Sequence, residues 1–215
     1  MPFIWCSLIG YLIGSVNPAW IISKIRGFDI RKKGSHNAGA SNVTILCGKK
    51  LGAVCAVLDI FKACFAIGLC MFLFPEYNHA YAAAGTACII GHIHPLFLGF
   101  RGGKGLACLG GLVMMFSRRV FLVFLLLELI IALATNYICF VPITAAIAFP
   151  ITYWLLADDV IGAVMMGVGC GLILMKHREN LRRIRSGTEL RLSYLWNRTA
   201  ERERLGRDEW DDDEP

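Results

Sequence analysis

Long apolar runs separated by short polar islands set the pattern of this chain. The runs cover roughly 3–22, 51–74, 80–100, 105–117, 120–135, 138–156 and 160–175, and a helix needs ~20 apolar residues to cross the hydrocarbon core. The pattern predicts an all-α, polytopic membrane helix bundle of about seven transmembrane helices, two of them short and both within 105–135. A single membrane domain over residues 1–185 is expected, followed over 186–215 by a polar tail that is first basic and then acidic. Gly10, Gly14 and Pro18 interrupt the first run, and no charged segment precedes it. It is therefore expected to be a span entering from outside, not a cleaved leader.

Composition agrees with the pattern. Hydrophobic residues make up 56% of the chain and charged residues 18%, with a mean hydropathy of +0.57, well beyond the ordinary soluble range. Basic residues then orient the bundle, because Lys and Arg in short loops stay on the cytoplasmic side. The loop 23–50 holds Lys24, Arg26, Arg31, Lys32, Lys33, Lys49 and Lys50 against Asp29 alone, whereas the turns at Glu76 and Asp158-Asp159 are short and acidic. Placing Arg101-Lys104 and the stretch from Lys176 inside requires an even number of crossings between them, which favours two short helices over one long tilted span. Arg118-Arg119 then lies outside, against the rule.

The nine cysteines are scattered and form no CxxC pair. Most fall within apolar runs, where cysteine acts as a small hydrophobe; no disulfide framework and no metal site is expected. From Lys176 to Arg207 the chain carries ten basic and four acidic residues, and from Asp208 to Glu214 six acids. The first part suits anionic head groups and the second a solvated tail.

Four polar islands carry the candidate chemistry. In the first, Gly34 and Gly39 let the backbone expose amide groups, while Ser35, Asn37, Ser41 and Asn42 add short polar side chains, an assembly able to cradle a phosphate. A plain polar turn ending in a helix cap has the same composition; its place between a basic stretch and a long span favours the phosphate. In the second island, Asp59 and Lys62 stand three apart on one helical face, and ionisable groups inside a membrane tend to face the bundle interior. They read as a structural or supporting ion pair or as a direct part of the catalysis, pointing toward the site in either case. The third, Gly102-Gly103-Lys104-Gly105, is too short for a nucleotide loop: Leu98 stands where that motif needs glycine and Gly105 where it needs Ser or Thr. Glycine backbone with Lys104 as a point charge still suits a phosphate. Upstream, His92 and His94 are two apart, face different sides of a helix and make a poor metal pair. The fourth island sets His177 and Asn180 one turn apart where the last span ends. Glu128 stands alone in its span.

Gly34-Ser35-His36-Asn37-Ala38-Gly39-Ala40-Ser41-Asn42, Gly91-His92 through Phe97-Leu98-Gly99-Phe100-Arg101-Gly102-Gly103-Lys104-Gly105, and Lys176-His177-Arg178-Glu179-Asn180-Leu181 resemble the three signature motifs of the bacterial acyl-phosphate:glycerol-3-phosphate acyltransferases. The resemblance runs from Gly14-Ser15 to about Glu189. It implies a seven-helix, multi-pass enzyme of the bacterial cell membrane with its site facing the cytoplasm. Such an enzyme moves an acyl group from acyl phosphate to the 1-hydroxyl of glycerol 3-phosphate, releasing lysophosphatidate and phosphate, with no metal, cofactor or acyl carrier. Its partners would be those two substrates and the bilayer, not nucleic acid, and the enzyme is expected to be a monomer.

On this resemblance Ser35, Asn42, Lys104 and His177 are catalytic candidates, and Gly34, Asn37, Gly39, Ser41, Gly102, Gly103 and Asn180 bind substrate. The donor falls to the first motif; Lys104, His177 and Asn180 take the acceptor. His36, where the family has glycine, is expected to be a bystander. Ala38 replaces a usual proline. Ile45 stands where the family has an arginine that holds glycerol phosphate, and Lys49 and Lys50 are the nearest substitutes. Ile45 therefore sets a second expectation beside the first: a divergent or silent paralogue that binds a lipid phosphate or uses another phosphorylated acceptor. Transport is disfavoured because no inverted repeat or chain of buried charges is present.

Overall fold

The computed structural model describes residues 1–206, and among them every regular element is helical. The order is α1 (Pro2–Ser15), α2 (Pro18–Ile25), α3 (Ala40–Cys47), α4 (Lys49–Leu73), α5 (Ala80–Ile93), α6 (Leu106–Phe116), α7 (Arg118–Thr135), α8 (Phe140–Ala157), α9 (Val160–Arg185) and α10 (Arg198–Leu205). All seven apolar runs are helical. Pro18 breaks the first into α1 and α2: it has no N–H to continue the helix, and Asn17 instead caps α2 by accepting from the Trp20 N–H at 2.8 Å.

Among the described residues, five stretches are long and apolar enough to cross a membrane: Pro2–Ile25, Lys49–Leu73, Ala80–Leu98, Phe140–Ala157 and Val160–Arg185. The two short helices expected between 105 and 135 are where the difference lies. α6 has 11 residues, about 16 Å of helix, well short of the core thickness. α7 has 18 residues but carries Arg118, Arg119 and Glu128. Large apolar side chains point outward, among them Phe72, Leu122, Leu126, Leu155 and Val164, as a lipid-facing surface requires.

At the centre lies α5, in which every residue but Ile90 is buried. Small residues let α1 approach it backbone to backbone. A Cβ at Gly10 would lie 2.3 Å from the Ala84 carbonyl oxygen, one at Gly14 2.2 Å from that of Cys88, and one at Gly91 2.2 Å from that of Tyr11. Without a hydrophobic drive between helices in lipid, such close van der Waals packing is what holds them. α9 runs ten residues past the end of its apolar run, so His177 and Asn180 sit on continuous helix.

The basic part of the C-terminal tail folds back onto the bundle. Asn136, between α7 and α8, accepts from the Leu192 N–H at 2.7 Å and the Ser193 N–H at 2.9 Å. Arg204 of α10 donates to the Gly187 carbonyl at 2.5 Å and the Glu189 carbonyl at 2.6 Å. Glu201 holds Arg204 and accepts from the Arg191 N–H at 2.8 Å. The acidic run from Asp208 to Glu214 lies outside the described residues.

Candidate active site

The first motif is a curved loop built around one side chain. Asn42 is fully buried; its Oδ1 accepts from the Ser35 N–H at 2.9 Å, and its Nδ2 donates to the carbonyls of Ile30 at 3.0 Å and Lys33 at 3.1 Å. Its amide is thereby committed to shaping the loop. Gly34 has φ +60°, and a Cβ there would lie 2.3 Å from Asn42 Oδ1, so glycine is required on both counts. Ser35, His36 and Ser41 remain exposed and Asn37 half-buried. Arg31, one of the loop's cations, is already occupied: it grips Asp29 at 2.7 and 2.9 Å and donates to the Leu98 carbonyl at 2.8 Å. That guanidinium holds the Asp29 carboxyl well below the usual carboxylate range. Asn17 Nδ2 donates to the Ala38 carbonyl at 3.0 Å, and Gly39 opens α3. The free amides of a helix N-terminus favour an anion in front of it.

The second motif closes tightly onto the end of α5. The Gly102 N–H donates to the Ile93 carbonyl at 3.2 Å and the Gly103 N–H to the His92 carbonyl at 3.1 Å, so these two amides are engaged within the loop. A Cβ at Gly102 would meet the His92 carbonyl oxygen at 2.0 Å, and one at Gly103 would meet His92 Nε2 at 2.1 Å and the Ala38 oxygen at 2.9 Å. The glycines thus let the loop press against α5 and against the first motif. A Cβ on Gly39 would lie 3.9 Å from Gly103 Cα, which shows how closely the two motifs abut. Lys104 is the loop's charged contribution. Its Nζ donates to Asn180 Oδ1 at 2.6 Å, joining the second motif to the third. Burial, followed by the nearby Arg183, lowers the Lys104 pKa from its ordinary value.

In the third motif His177 and Asn180 are both buried on α9. His177 Nδ1 lies 2.8 Å from the Ile173 carbonyl, so Nδ1 carries the proton and Nε2 keeps a lone pair. Asn180 Nδ2 donates to Glu189 Oε1 at 2.5 Å, and Arg183 Nε grips the same carboxylate at 2.6 Å. Glu189 and Arg183 were invisible as site residues, being one acid and one base in a strongly basic stretch. Only the fold-back reveals that Glu189 fixes the amide that faces Lys104.

Beneath the second motif lies the ion pair expected on α4. Lys62 Nζ is 2.7 Å from Asp59 Oδ1, and it also reaches the Val16 carbonyl at 2.7 Å and His92 Nδ1 at 3.0 Å. Asp59, His92 and Cys108 bring an oxygen, a ring nitrogen and a sulfur within 4.8 Å, a set of donors with the outline of a metal site. The Lys62 ammonium stands between two of the three, where an ion would have to sit. Glu128 gains a partner the sequence did not suggest, Thr144 Oγ1 at 2.6 Å. Ile45 is half-buried on α3, and Lys49 and Lys50 are exposed at the start of α4.

The glycerol-3-phosphate acyltransferase family model matches residues 4–187. Glycerol-3-phosphate acyltransferase 1 of Oceanobacillus iheyensis is 34% identical over 207 residues, covering 93% of this chain and all of that protein. Among solved structures, the glycerol 3-phosphate form of PlsY (YgiH), an integral membrane glycerol 3-phosphate acyltransferase, superposes with a TM-score of 0.83 at 34% identity. It covers 90% of this chain and 96% of the other. Its lysophosphatidic acid form gives 0.79 at 34% identity, over 88% and 94% of the two chains. Three polar motifs meeting at Gly103 and Lys104, on a bundle of this shape and sequence, make the chain a multi-pass membrane acyltransferase belonging to the glycerol-3-phosphate acyltransferase family.

Proposed function

We propose that the protein acylates the 1-hydroxyl of glycerol 3-phosphate with acyl phosphate as donor. The observation that carries this reading is the abutment of two anion-suited segments: the loop from Gly34 to Ser41 meets Gly103, and the next residue, Lys104, faces Asn180. One segment suits a lipid-borne phosphate and the other a soluble one. Ser35, Asn37, Gly39 and Ser41 hold the donor, with Asn42 and Gly34 fixing the loop that presents them. Lys104, His177 and Asn180 hold the acceptor, while Gly102 and Gly103 seat Lys104 at the junction.

An acyl phosphate is a mixed anhydride, so the protein has mainly to align reactants and stabilise charge. The acceptor hydroxyl oxygen attacks the acyl carbon, a new ester C–O bond forms, and the C–O bond to phosphate breaks with its electron pair. The hydroxyl proton passes to the departing phosphate, which needs no protein base. Lys104 offsets phosphate charge, and the Nε2 lone pair of His177 is suited to accept a hydrogen bond from an acceptor hydroxyl. The purified protein given acyl phosphate and glycerol 3-phosphate should release lysophosphatidate and phosphate in equal amounts. Absence of product, or a requirement for an acyl thioester, would overturn the reading.

Ile45 favours a second reading of the acceptor alone. Isoleucine offers no donor where the family resemblance implies an arginine, so another phosphorylated alcohol could be acylated faster. Parallel assays with such alcohols decide between the two. The basic loop 23–50 and the stretch from Lys176 support a site facing the cytoplasm of a bacterial membrane, and we take the acting unit to be one chain. Impermeant thiol labelling of single cysteines placed at Lys32 and at Glu76 tests the orientation.

A further inference from the structure

His92 is 3% exposed, lies on the central helix, and has no role in the chemistry described so far. Its tautomer follows from Lys62. An ammonium has three protons, and Lys62 Nζ faces three acceptors: Asp59 Oδ1 at 2.7 Å, the Val16 carbonyl at 2.7 Å and His92 Nδ1 at 3.0 Å. His92 Nδ1 also lies 3.3 Å from Asp59 Oδ1, but a proton on it would set two donors against each other across the shorter 3.0 Å to Lys62, whereas Nδ1 as acceptor completes the ammonium's three bonds. The proton is therefore on Nε2. That atom faces the seam between the first two motifs: a Cβ on Gly103 would lie 2.1 Å from Nε2 and 2.9 Å from the Ala38 oxygen. The Ala38 carbonyl already accepts from Asn17 at 3.0 Å, which leaves Nε2–H available to a ligand at the seam. A ring N–H in so poorly solvated a place gains from an acceptor brought in by substrate.

We propose that His92, fixed by Lys62 and Asp59 with its proton on Nε2, is a catalytic residue that donates a hydrogen bond to the phosphate of the acyl donor at the seam of Ala38 and Gly103. This rests on the assignment of the first motif to that donor. The leaving phosphate gains charge as the anhydride C–O bond breaks, so a preorganised donor there lowers the barrier as well as binding substrate. The proton stays on the imidazole throughout; only the hydrogen bond strengthens. Gly103 is then required because any side chain would occupy the space that Nε2–H needs.

Three measurements test it. Long-range proton–nitrogen spectra of the histidine-labelled wild-type protein should place the His92 proton on Nε2 and move that resonance when a non-hydrolysable acyl phosphonate binds. A proton on Nδ1, or no movement on saturation, overturns the proposal without recourse to a variant. Binding of the same phosphonate should weaken about 10- to 100-fold in H92L, the range expected for one hydrogen bond to a charged group, and recover to within about tenfold in H92Q, whose amide N–H reaches toward the Nε2 position. In turnover, H92L should lower kcat and raise the donor KM while the KM for glycerol 3-phosphate stays within about threefold. Equal loss in H92L and H92Q despite matching thermal midpoints, or equal changes in both KM values, indicates a packing role and sinks the idea. Wild-type protein that binds the phosphonate through His92 yet transfers no acyl group would refute the proposed reaction and leave this site standing.

Discussion

At the scale of single residues, the proposed site separates groups free to meet a substrate from groups that hold them in place. Lys104 is half-buried and hydrogen-bonded to Asn180, and in the proposed reaction it supplies the positive charge for the acceptor phosphate. K104A should lower kcat/KM at least about 100-fold, consistent with losing a charge-assisted contact in a poorly solvated site, while the thermal midpoint stays near that of wild type. The sign of its pH dependence follows from burial. Because the Lys104 pKa is lowered, raising the pH removes its charge sooner than for an ordinary lysine, so the KM for glycerol 3-phosphate should climb before the usual lysine range is reached, the donor KM remaining flat. Asn42 acts through the loop. N42A leaves the Ile30 and Lys33 carbonyls and the Ser35 N–H without their partner, and should destabilise the protein by about 1–3 kcal/mol, seen as a lower midpoint together with a raised donor KM.

At the scale of elements, the contact of α1 with α5 matters most to position. Gly14 and Gly91 face carbonyl oxygens at distances that no Cβ can share, 2.2 Å each. G91A must push α1 and α5 apart, and overpacking of this kind costs about 1–3 kcal/mol; the expected readout is a fall in thermal midpoint in detergent. Since α5 ends in His92 and Ile93, whose carbonyls anchor the second motif, activity should fall further than stability does. An unchanged midpoint would mean that the two helices can slide without cost. The apolar runs made these helices legible at sequence level, because a period that is hydrophobic all round leaves few options inside a membrane. The break at Pro18 and the extension of α9 were less so: they depend on capping by Asn17 and on the polar stretch 176–185 continuing as helix.

At the scale of the whole molecule, the segment after residue 185 is a buttress for Asn180 and, in the proposed reaction, for the acceptor side. Glu189 reaches Asn180, Arg204 holds the main chain at Gly187 and Glu189, and Asn136 ties the strap to the loop between α7 and α8. R204A should speed proteolysis between 186 and 206 and raise the acceptor KM several-fold with the donor KM unchanged. If both KM values stay as in wild type, the strap is mechanically separate from the site. The family model ends at residue 187, so most of this strap extends beyond the matched region. The chain's own pattern determined the membrane class, the helical segments and the polar islands, because hydropathy and local charge are properties of neighbouring residues. Tertiary structure alone decided that Asn42 shapes a loop, that Gly102 and Gly103 spend their amides on α5, that Glu189 reaches Asn180, and that His92 is paired with Lys62. Each of those depends on hydrogen bonds between segments many residues apart, whose geometry is set only when the helices pack.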